Sequence, residues 1–386
     1  MKNKLLNIIL SLISLIVSLY IIELLLFFFI TKNISTNLNE FNFDKRSRSE
    51  IFYDLKKKNR NVVLSIYPYV FLEEQNQSIF PLSGISNKET IFCNENGYYA
   101  IYNSDRYGFN NPDKIWDDQK IDYLIVGDSF AQGMCVNEPE NFSGNLKKIT
   151  KRNIINLGMS GNGPIREFAT IKEYMSIKKP KIVLWFYFEG NDLTDIDDEI
   201  KNNILSKYFA NNTFTQDLRN KQNIIDKKLS KKMFEKLNED YETRQVMNYS
   251  YYLRFLKLHS LRNYLESLVS IKTNKNLNQE NVNKLKKILI YSKKFIEEEQ
   301  GAKLYFIYLP TYIRYSNSIK NNNDNLFLYG EVKNVVKELN INFIDINKDV
   351  ISISKQPLSF FPFGMSGHYS VYGYRTISEF IAKNIN

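Results

Sequence analysis

The first apolar run of the chain covers residues 5–30, LLNIILSLISLIVSLYIIELLLFFFI, and contains Glu23 as its only charge. About 20 such residues are enough for a helix that spans a bilayer. A signal peptide is shorter and ends at a small-x-small cleavage site, whereas this run is long and ends in three phenylalanines at 27–29. The pattern therefore predicts a transmembrane anchor over residues 1–31.

The two segments that follow the anchor differ in their composition. Residues 32–61 are polar and predict a juxtamembrane stalk, whereas residues 62–117 mix Tyr, Phe and Ile with turn residues and predict a small β-rich annex of short strands and hairpins. Lys2 and Lys4 precede the apolar run and only Lys32 follows it closely. By the positive-inside tendency, this places the rest of the chain outside the cytoplasm.

From residue 118 onward, strand-like and helical patterns alternate. The strand-like runs are 121–126, 153–157, 181–188, 303–309 and 341–346. The helical stretches are 139–150, 164–177, 279–299, 329–339 and 371–384. Buried strands that alternate with helices are typical of a parallel sheet covered on both faces. Residues 118–386 are thus predicted to form a three-layer α/β/α sandwich on a five-stranded parallel sheet, with a polar helical insertion at 195–278.

Composition and charge narrow the class of protein. The 386 residues are 43% hydrophobic and 24% charged, as in globular proteins. The net charge of +10 is spread over Lys- and Asn-rich stretches without a basic stripe that carries aromatic residues, so nucleic acid is not expected as a partner. The two cysteines, Cys93 and Cys135, are either a disulfide, as an oxidising compartment allows, or two small buried hydrophobes.

Small and hydrogen-bonding residues directly follow three of the predicted strands. They lie at 127–129, 158–162 and 189–192. Ligands of parallel sheets bind beyond these carboxyl ends. Acyl transfer needs a nucleophile and preorganised donors for the negative oxygen that develops. Ser129 can supply the nucleophile, and the backbone amides of Ser129 and Gly161 with the side chain of Asn191 can supply the donors.

The general base must come from one of only two histidines. His259 lies on a helical stretch of the polar insertion, where a surface or partly packed role is expected. His368 lies in a Gly-rich loop just before the last helix, which favours it as the base. Asp128 and Asp192 come from different strand ends without a further histidine or carboxylate cluster, so no metal is predicted there.

These sequence blocks together resemble the SGNH/GDSL hydrolase superfamily. The blocks are GDSF at 127–130, NLGMSGNGP at 156–164, GND at 190–192 and a histidine before the final helix. The resemblance implies a flavodoxin-like sandwich that cleaves or transfers ester-linked acyl groups, often on lipids or O-acetylated sugars, without a cofactor. It assigns Ser129 as nucleophile, Gly161 and Asn191 as oxyanion donors beside the Ser129 amide, and His368 as general base.

One position departs from the family pattern. Members usually carry an aspartate three residues before the histidine, where this chain has Met365. Three alternatives follow: a Ser–His dyad oriented by a backbone carbonyl, another carboxylate such as Asp345 after the fifth strand, or a slow enzyme. The α/β-hydrolase nucleophile elbow, G-x-S-x-G, is excluded because Ala131 stands where its second glycine would be.

The expected activity combines the anchor with this chemistry. It is a membrane-anchored, extracytoplasmic serine esterase or O-acyltransferase that acts on acetyl or other short acyl groups of cell-envelope polysaccharide. A lysophospholipase or lipase is the first alternative, although the polar insertion argues against an apolar acyl channel. An inactive SGNH domain that binds envelope glycan is the second, because of Met365. The sequence does not specify the oligomeric state.

Overall fold

The computed structural model describes residues 2–39, 43–211, 213–258, 261–262, 265, 279–316 and 327–385. His259 and much of the distal insertion lie outside the described residues. The chain forms two compact units, a smaller one of Met1–Phe43 with Glu235–Asn276 and a larger one of Asp44–Phe234 with Leu277–Asn386. The predicted insertion is therefore divided between the units.

The elements are numbered in chain order. The strands are β1 (Val62–Leu64), β2 (Glu89–Ile91), β3 (Ile101–Asn103), β4 (Tyr123–Gly127), β5 (Ile154–Asn156), β6 (Ile182–Phe188), β7 (Lys303–Leu309) and β8 (Asn342–Asp345). The helices are α1 (Lys2–Asn39), α2 (Arg48–Lys56), α3 (Ser129–Gln132), α4 (Phe142–Thr150), α5 (Pro164–Tyr174), α6 (Asp192–Lys201), α7 (Leu205–Ala210), α8 (Gln222–Leu256), α9 (Gln279–Lys293), α10 (Tyr329–Glu338) and α11 (Val371–Asn384).

The central sheet of the larger unit confirms the predicted fold. Its five strands are all parallel in the order β5-β4-β6-β7-β8. Helices α4 and α11 pack against each other, and α5, α6, α9 and α10 form a second packed group, so that helices cover both faces. Both faces of the central strand β6 are buried, which explains why residues 182–187 read as one continuous apolar run.

The annex is a three-stranded sheet of the larger unit. Strand β1 pairs parallel with β2, and β2 pairs antiparallel with β3. Part of the segment predicted as a stalk, 32–61, also packs here as helix α2, whose side chains Ile51 and Phe52 are buried. Ser47 and Glu50 begin α2 with a capping box. Polar residues of α2 such as Glu50 and Lys56 lie on its exposed face.

Helix α1 carries the apolar run. Its stretch Ile9–Leu26 has a mean hydropathy of 2.6 and is long and apolar enough to span a membrane. Among the described residues of this stretch, leucine and isoleucine side chains are mostly exposed. That exposure suits a helix surrounded by hydrocarbon better than one in water.

Candidate active site

Strand β4 delivers Ser129 to the carboxyl edge of the sheet. Gly127 has φ +151°, and a Cβ there would lie 2.6 Å from the Phe186 carbonyl oxygen of the neighbouring strand. Asp128 caps the short helix α3 by accepting the N–H of Phe130 at 2.9 Å. The sharp turn from strand to helix therefore requires glycine and places the serine hydroxyl at the edge of the sheet.

His368 approaches Ser129 from the loop before α11. Its Nε2 lies 2.8 Å from the Ser129 Oγ, and its ring packs against Phe130 with 4.7 Å between ring centroids. Ser370 caps α11 two residues later by accepting the Gly373 N–H. The cap and the ring contact hold the imidazole at hydrogen-bond distance from the hydroxyl, which is the geometry a general base needs.

Glu95 of the annex supplies the carboxylate partner of His368. Its Oε1 lies 2.9 Å from the histidine Nδ1, and its Oε2 accepts the His368 backbone N–H at 2.7 Å. A Cβ on Gly367 would lie 2.8 Å from that Oε2, so the glycine leaves room for the carboxylate. A carboxylate on Nδ1 favours the imidazole tautomer whose Nε2 is free to accept a hydrogen bond from the Ser129 hydroxyl.

Glu95 was missed because it lies outside the predicted catalytic domain. It precedes Ser129 by 34 positions and is 273 residues from His368, in a segment predicted only as a β-rich annex. One signal in the sequence points to it, namely that Cys93 lies two residues before Glu95 and Cys135 six residues after Ser129. A bridge between these cysteines would bring the two segments together.

The structure contains that bridge. The sulfur atoms of Cys93 and Cys135 are 2.13 Å apart and their Cα atoms 4.9 Å apart. Asn96 adds a hydrogen bond at 3.0 Å from its Nδ2 to the Cys135 carbonyl oxygen. The disulfide ties the segment that carries Glu95 to the loop that follows α3, and thereby limits how far the carboxylate can move from the histidine.

Asp345, the predicted alternative orienting acid, does not contact His368. Its carboxylate accepts the Tyr329 hydroxyl, the Lys333 Nζ at 2.8 Å and the Lys348 backbone N–H at 3.0 Å. It ends β8, three strand positions from β4, which corresponds to about 14 Å at the usual strand spacing. Asp345 therefore bonds to residues near it in the sequence, and Glu95 is the carboxylate in contact with His368.

The two predicted oxyanion donors lie on loops that follow the neighbouring strands. Gly161 adopts φ +77°, and a Cβ there would lie 2.6 Å from the Tyr69 ring. Its loop borders α3, because the Ser160 N–H donates to the Gln132 Oε1 at 2.8 Å. Asn191 follows β6 and donates one Nδ2 hydrogen to Asp195 at 2.6 Å. An amide carries a second hydrogen, which a substrate oxygen can accept.

The groups around the serine and histidine have opposite pKa shifts. Burial raises the pKa of Glu95, but the hydrogen bonds and charge of His368 outweigh it, so the net pKa falls below the ordinary value. Burial raises the pKa of Asp128 to about 6. Burial together with neighbouring carboxylates raises the pKa values of Glu167 and Asp192 well above the ordinary ones. Negative charge is thus favoured at Glu95 and disfavoured at Asp128, Glu167 and Asp192.

The pKa of Asp128 predicts a pH-dependent stability. Because the folded-state pKa is about 6 against an ordinary 3.8, the folded chain holds this proton more tightly than the unfolded chain. The associated stability, about 3 kcal/mol, is present below about pH 4 and is lost as the pH rises through about 6. Asp128→Asn keeps an oxygen acceptor for the Phe130 N–H but has no proton to lose. The variant should therefore show a smaller change of the free energy of unfolding over this pH range.

Denaturation of the full chain in detergent can measure this effect through tryptophan fluorescence, since both tryptophans, Trp116 and Trp185, lie in the larger unit. Between pH 3 and 7, the free energy of unfolding should fall by about 3 kcal/mol more in the wild type than in Asp128→Asn. Equal slopes for the two proteins would show that burial does not shift the Asp128 titration.

Comparisons with known proteins find structural likeness without sequence relatives. No family model and no curated protein sequence matches the chain. A solved structure from Desulfitobacterium hafniense DCB-2 carries the description of a lipolytic protein of the G-D-S-L family. It aligns with 69% of this chain and 100% of its own, at 12% identity and a TM-score of 0.38.

Proposed function

We propose that the chain is a serine esterase or O-acyltransferase that works through an acyl-enzyme. The observation that carries this proposal is the continuous relay from the Ser129 Oγ through the His368 ring to the Glu95 carboxylate, with contacts of 2.8 and 2.9 Å. A serine hydroxyl is a weak nucleophile until a base removes its proton, and a base acts best when a third group orients it. The relay supplies both requirements.

The first half-reaction forms the acyl-enzyme. As Ser129 attacks the ester carbonyl, its proton moves to the His368 Nε2, and the carboxylate of Glu95 stabilises the imidazolium that results. The Ser129 and Gly161 amides and the Asn191 side chain stabilise the oxyanion of the tetrahedral intermediate. His368 then protonates the leaving alcohol, the ester C–O bond breaks, and the acyl group remains on Ser129.

The second half-reaction decides between hydrolysis and transfer. Water or an acceptor hydroxyl gives its proton to the His368 Nε2 and attacks the acyl-enzyme, and Ser129 recovers the proton when it leaves. Water gives hydrolysis, and a sugar hydroxyl gives O-acyl transfer. The same residues serve both reactions, and the outcome depends on how well the site excludes water.

The substrate we propose is an acetyl or other short acyl ester on cell-envelope polysaccharide, and the site we propose is extracytoplasmic. An apolar helix long enough to span a membrane supports an anchored enzyme that meets the envelope.

A lipase-type enzyme needs an apolar channel beside its serine. Two clefts of about 620 and 570 Å³ have both polar and apolar linings, and neither is lined by Ser129 or His368. The contact between Glu95 and His368 argues against the inactive glycan-binding alternative, because it supplies the acid absent at Met365.

A fluorophosphonate probe on the full chain in detergent tests the proposal. Labelling is expected for the wild type and for Ser206→Ala, a serine on α7, and should be absent from Ser129→Ala and strongly reduced in His368→Ala. On p-nitrophenyl esters, kcat/KM should be highest for acetate and fall with chain length. An unlabelled wild-type protein would favour the binding module, and a preference for long acyl chains would favour the lipase.

A further inference from the structure

The only charge of the apolar run, Glu23, is buried within the smaller unit. Its side chain is 1% exposed, whereas its neighbours Ile22 and Leu24 are 42% and 47% exposed. An ionisable side chain in a membrane-spanning helix is unfavourable unless it has a polar partner, and such residues commonly mark a functional contact. Glu23 is therefore expected to have a polar partner in the residues that cover it.

Residues of the insertion cover Glu23. Its Oε2 accepts the Leu261 backbone N–H at 2.7 Å. Three residues earlier on α1, the Tyr20 hydroxyl donates to the Leu256 carbonyl oxygen at 3.0 Å, and the Tyr20 ring lies 5.6 Å from that of Phe255. The C-terminal end of α8 and the start of the next segment thus dock on α1 through backbone groups.

This contact lies inside the apolar run. Tyr20 and Glu23 fall within Ile9–Leu26, the stretch long and apolar enough to span a membrane. The apolar run continues to Ile30, seven residues beyond Glu23, which is about 10 Å along a helix. Amphipathic elements that lie in a membrane interface reach about 5–10 Å into it. The docked segment is therefore at the depth of an interfacial element.

The outer side of the segment has the composition of such an element. Leu256 and Leu265 are 59% and 50% exposed, and Lys257 and Arg262 are exposed basic residues between them. Leucine side chains suit the acyl-chain boundary, and basic side chains suit anionic headgroups. Within hydrocarbon, a backbone N–H at the start of a helical turn needs an internal acceptor, and the Glu23 carboxylate provides one for Leu261.

We propose that the described residues 255–258, 261–262 and 265 belong to a membrane-interface element that docks on α1 through Glu23, with phospholipid as the partner of its exposed face. Glu23 then has a specific role in the apolar run, namely to hold this element at the bilayer surface. The inference rests on the membrane anchorage of the proposed function and not on its ester chemistry.

Lipid quenching on the full chain in phosphatidylcholine–phosphatidylglycerol vesicles tests the depth of the element. Both native cysteines are paired in the disulfide, so Leu256→Cys offers one free thiol for an NBD label. Lipids brominated near the headgroup should lower its fluorescence at least twofold, and aqueous iodide should have little effect. The matched control is Ile353→Cys on the larger unit, a 74% exposed apolar residue that iodide should quench readily.

Substitutions at Glu23 test the docking. Glu23→Leu removes the acceptor and should make the label at position 256 accessible to iodide, whereas Glu23→Gln keeps an oxygen acceptor and should retain lipid quenching. Ser14→Leu, at an exposed position of the same helix, should behave as the wild type. If alkaline carbonate leaves the chain in the membrane but iodide quenches the label in the wild-type background, the interface element is refuted and the anchorage stands. Extraction of the chain by carbonate would refute both.

Discussion

Alanine at Ser129, at His368 or at both is expected to lower kcat for ester cleavage by about 10⁶-fold in all three variants. The two side chains are 2.8 Å apart. In the proposed mechanism they act in one proton transfer, so removal of either should abolish the same step. In a serine protease, single losses of this kind cost about as much as loss of the whole triad, because the residual rate comes from the oxyanion donors and binding. The double variant should therefore be no slower than either single one.

Initial rates on p-nitrophenyl acetate measure this non-additivity. Near-UV circular dichroism should match the wild type in all three variants, because each substitution removes only a few atoms from the edge of the sheet. Losses that multiply in the double variant would mean that Ser129 and His368 act in separate steps, and would contradict the relay.

Glu95→Gln is expected to lower kcat by about 10⁴-fold with little change in KM. The carboxylate accepts the Nδ1 hydrogen of His368, and its lowered pKa keeps it charged at neutral pH. An amide at position 95 can instead donate to Nδ1, which favours the tautomer with its proton on Nε2. That tautomer cannot accept the Ser129 proton, and the corresponding change in a serine protease costs about 10⁴.

Two comparisons separate this positioning role from a general loss of structure. Glu140→Gln, which changes an annex-facing carboxylate that accepts the Tyr98 hydroxyl at 3.2 Å, should keep the wild-type rate. In a His368→Ala background, Glu95→Gln should cause no further loss, since it acts only through the histidine. If Glu95→Gln has the wild-type kcat, Glu95 does not orient the His368 imidazole, and a backbone carbonyl or no group at all does so.

The sequence determined the parts of the fold and of the site that depend on local pattern. Strand and helix periodicities predicted the five parallel strands, because a buried strand between helices must be apolar on both faces. Ligands of parallel sheets bind beyond the carboxyl ends of the strands, and the Gly-Asp-Ser turn after β4 lies at such an end. This local pattern was enough to select Ser129 as a candidate. Because the chain has only two histidines, the position of His368 before the last helix was enough to predict it as the general base.

The tertiary structure decided the contacts between distant segments. Glu95 contacts His368 over a sequence distance of 273 residues. No periodicity of the sequence predicts such a contact, because it depends on how the annex packs against the central sheet. Met365 suggested that the acid partner of the histidine is missing. In the structure, Glu95, from outside the predicted domain, lies beside the His368 Nδ1. The sequence did not predict the packing of helix α2 or the partner of Glu23 for the same reason. Whether a polar segment is buried depends on the surface it packs against, and only the folded chain determines that surface.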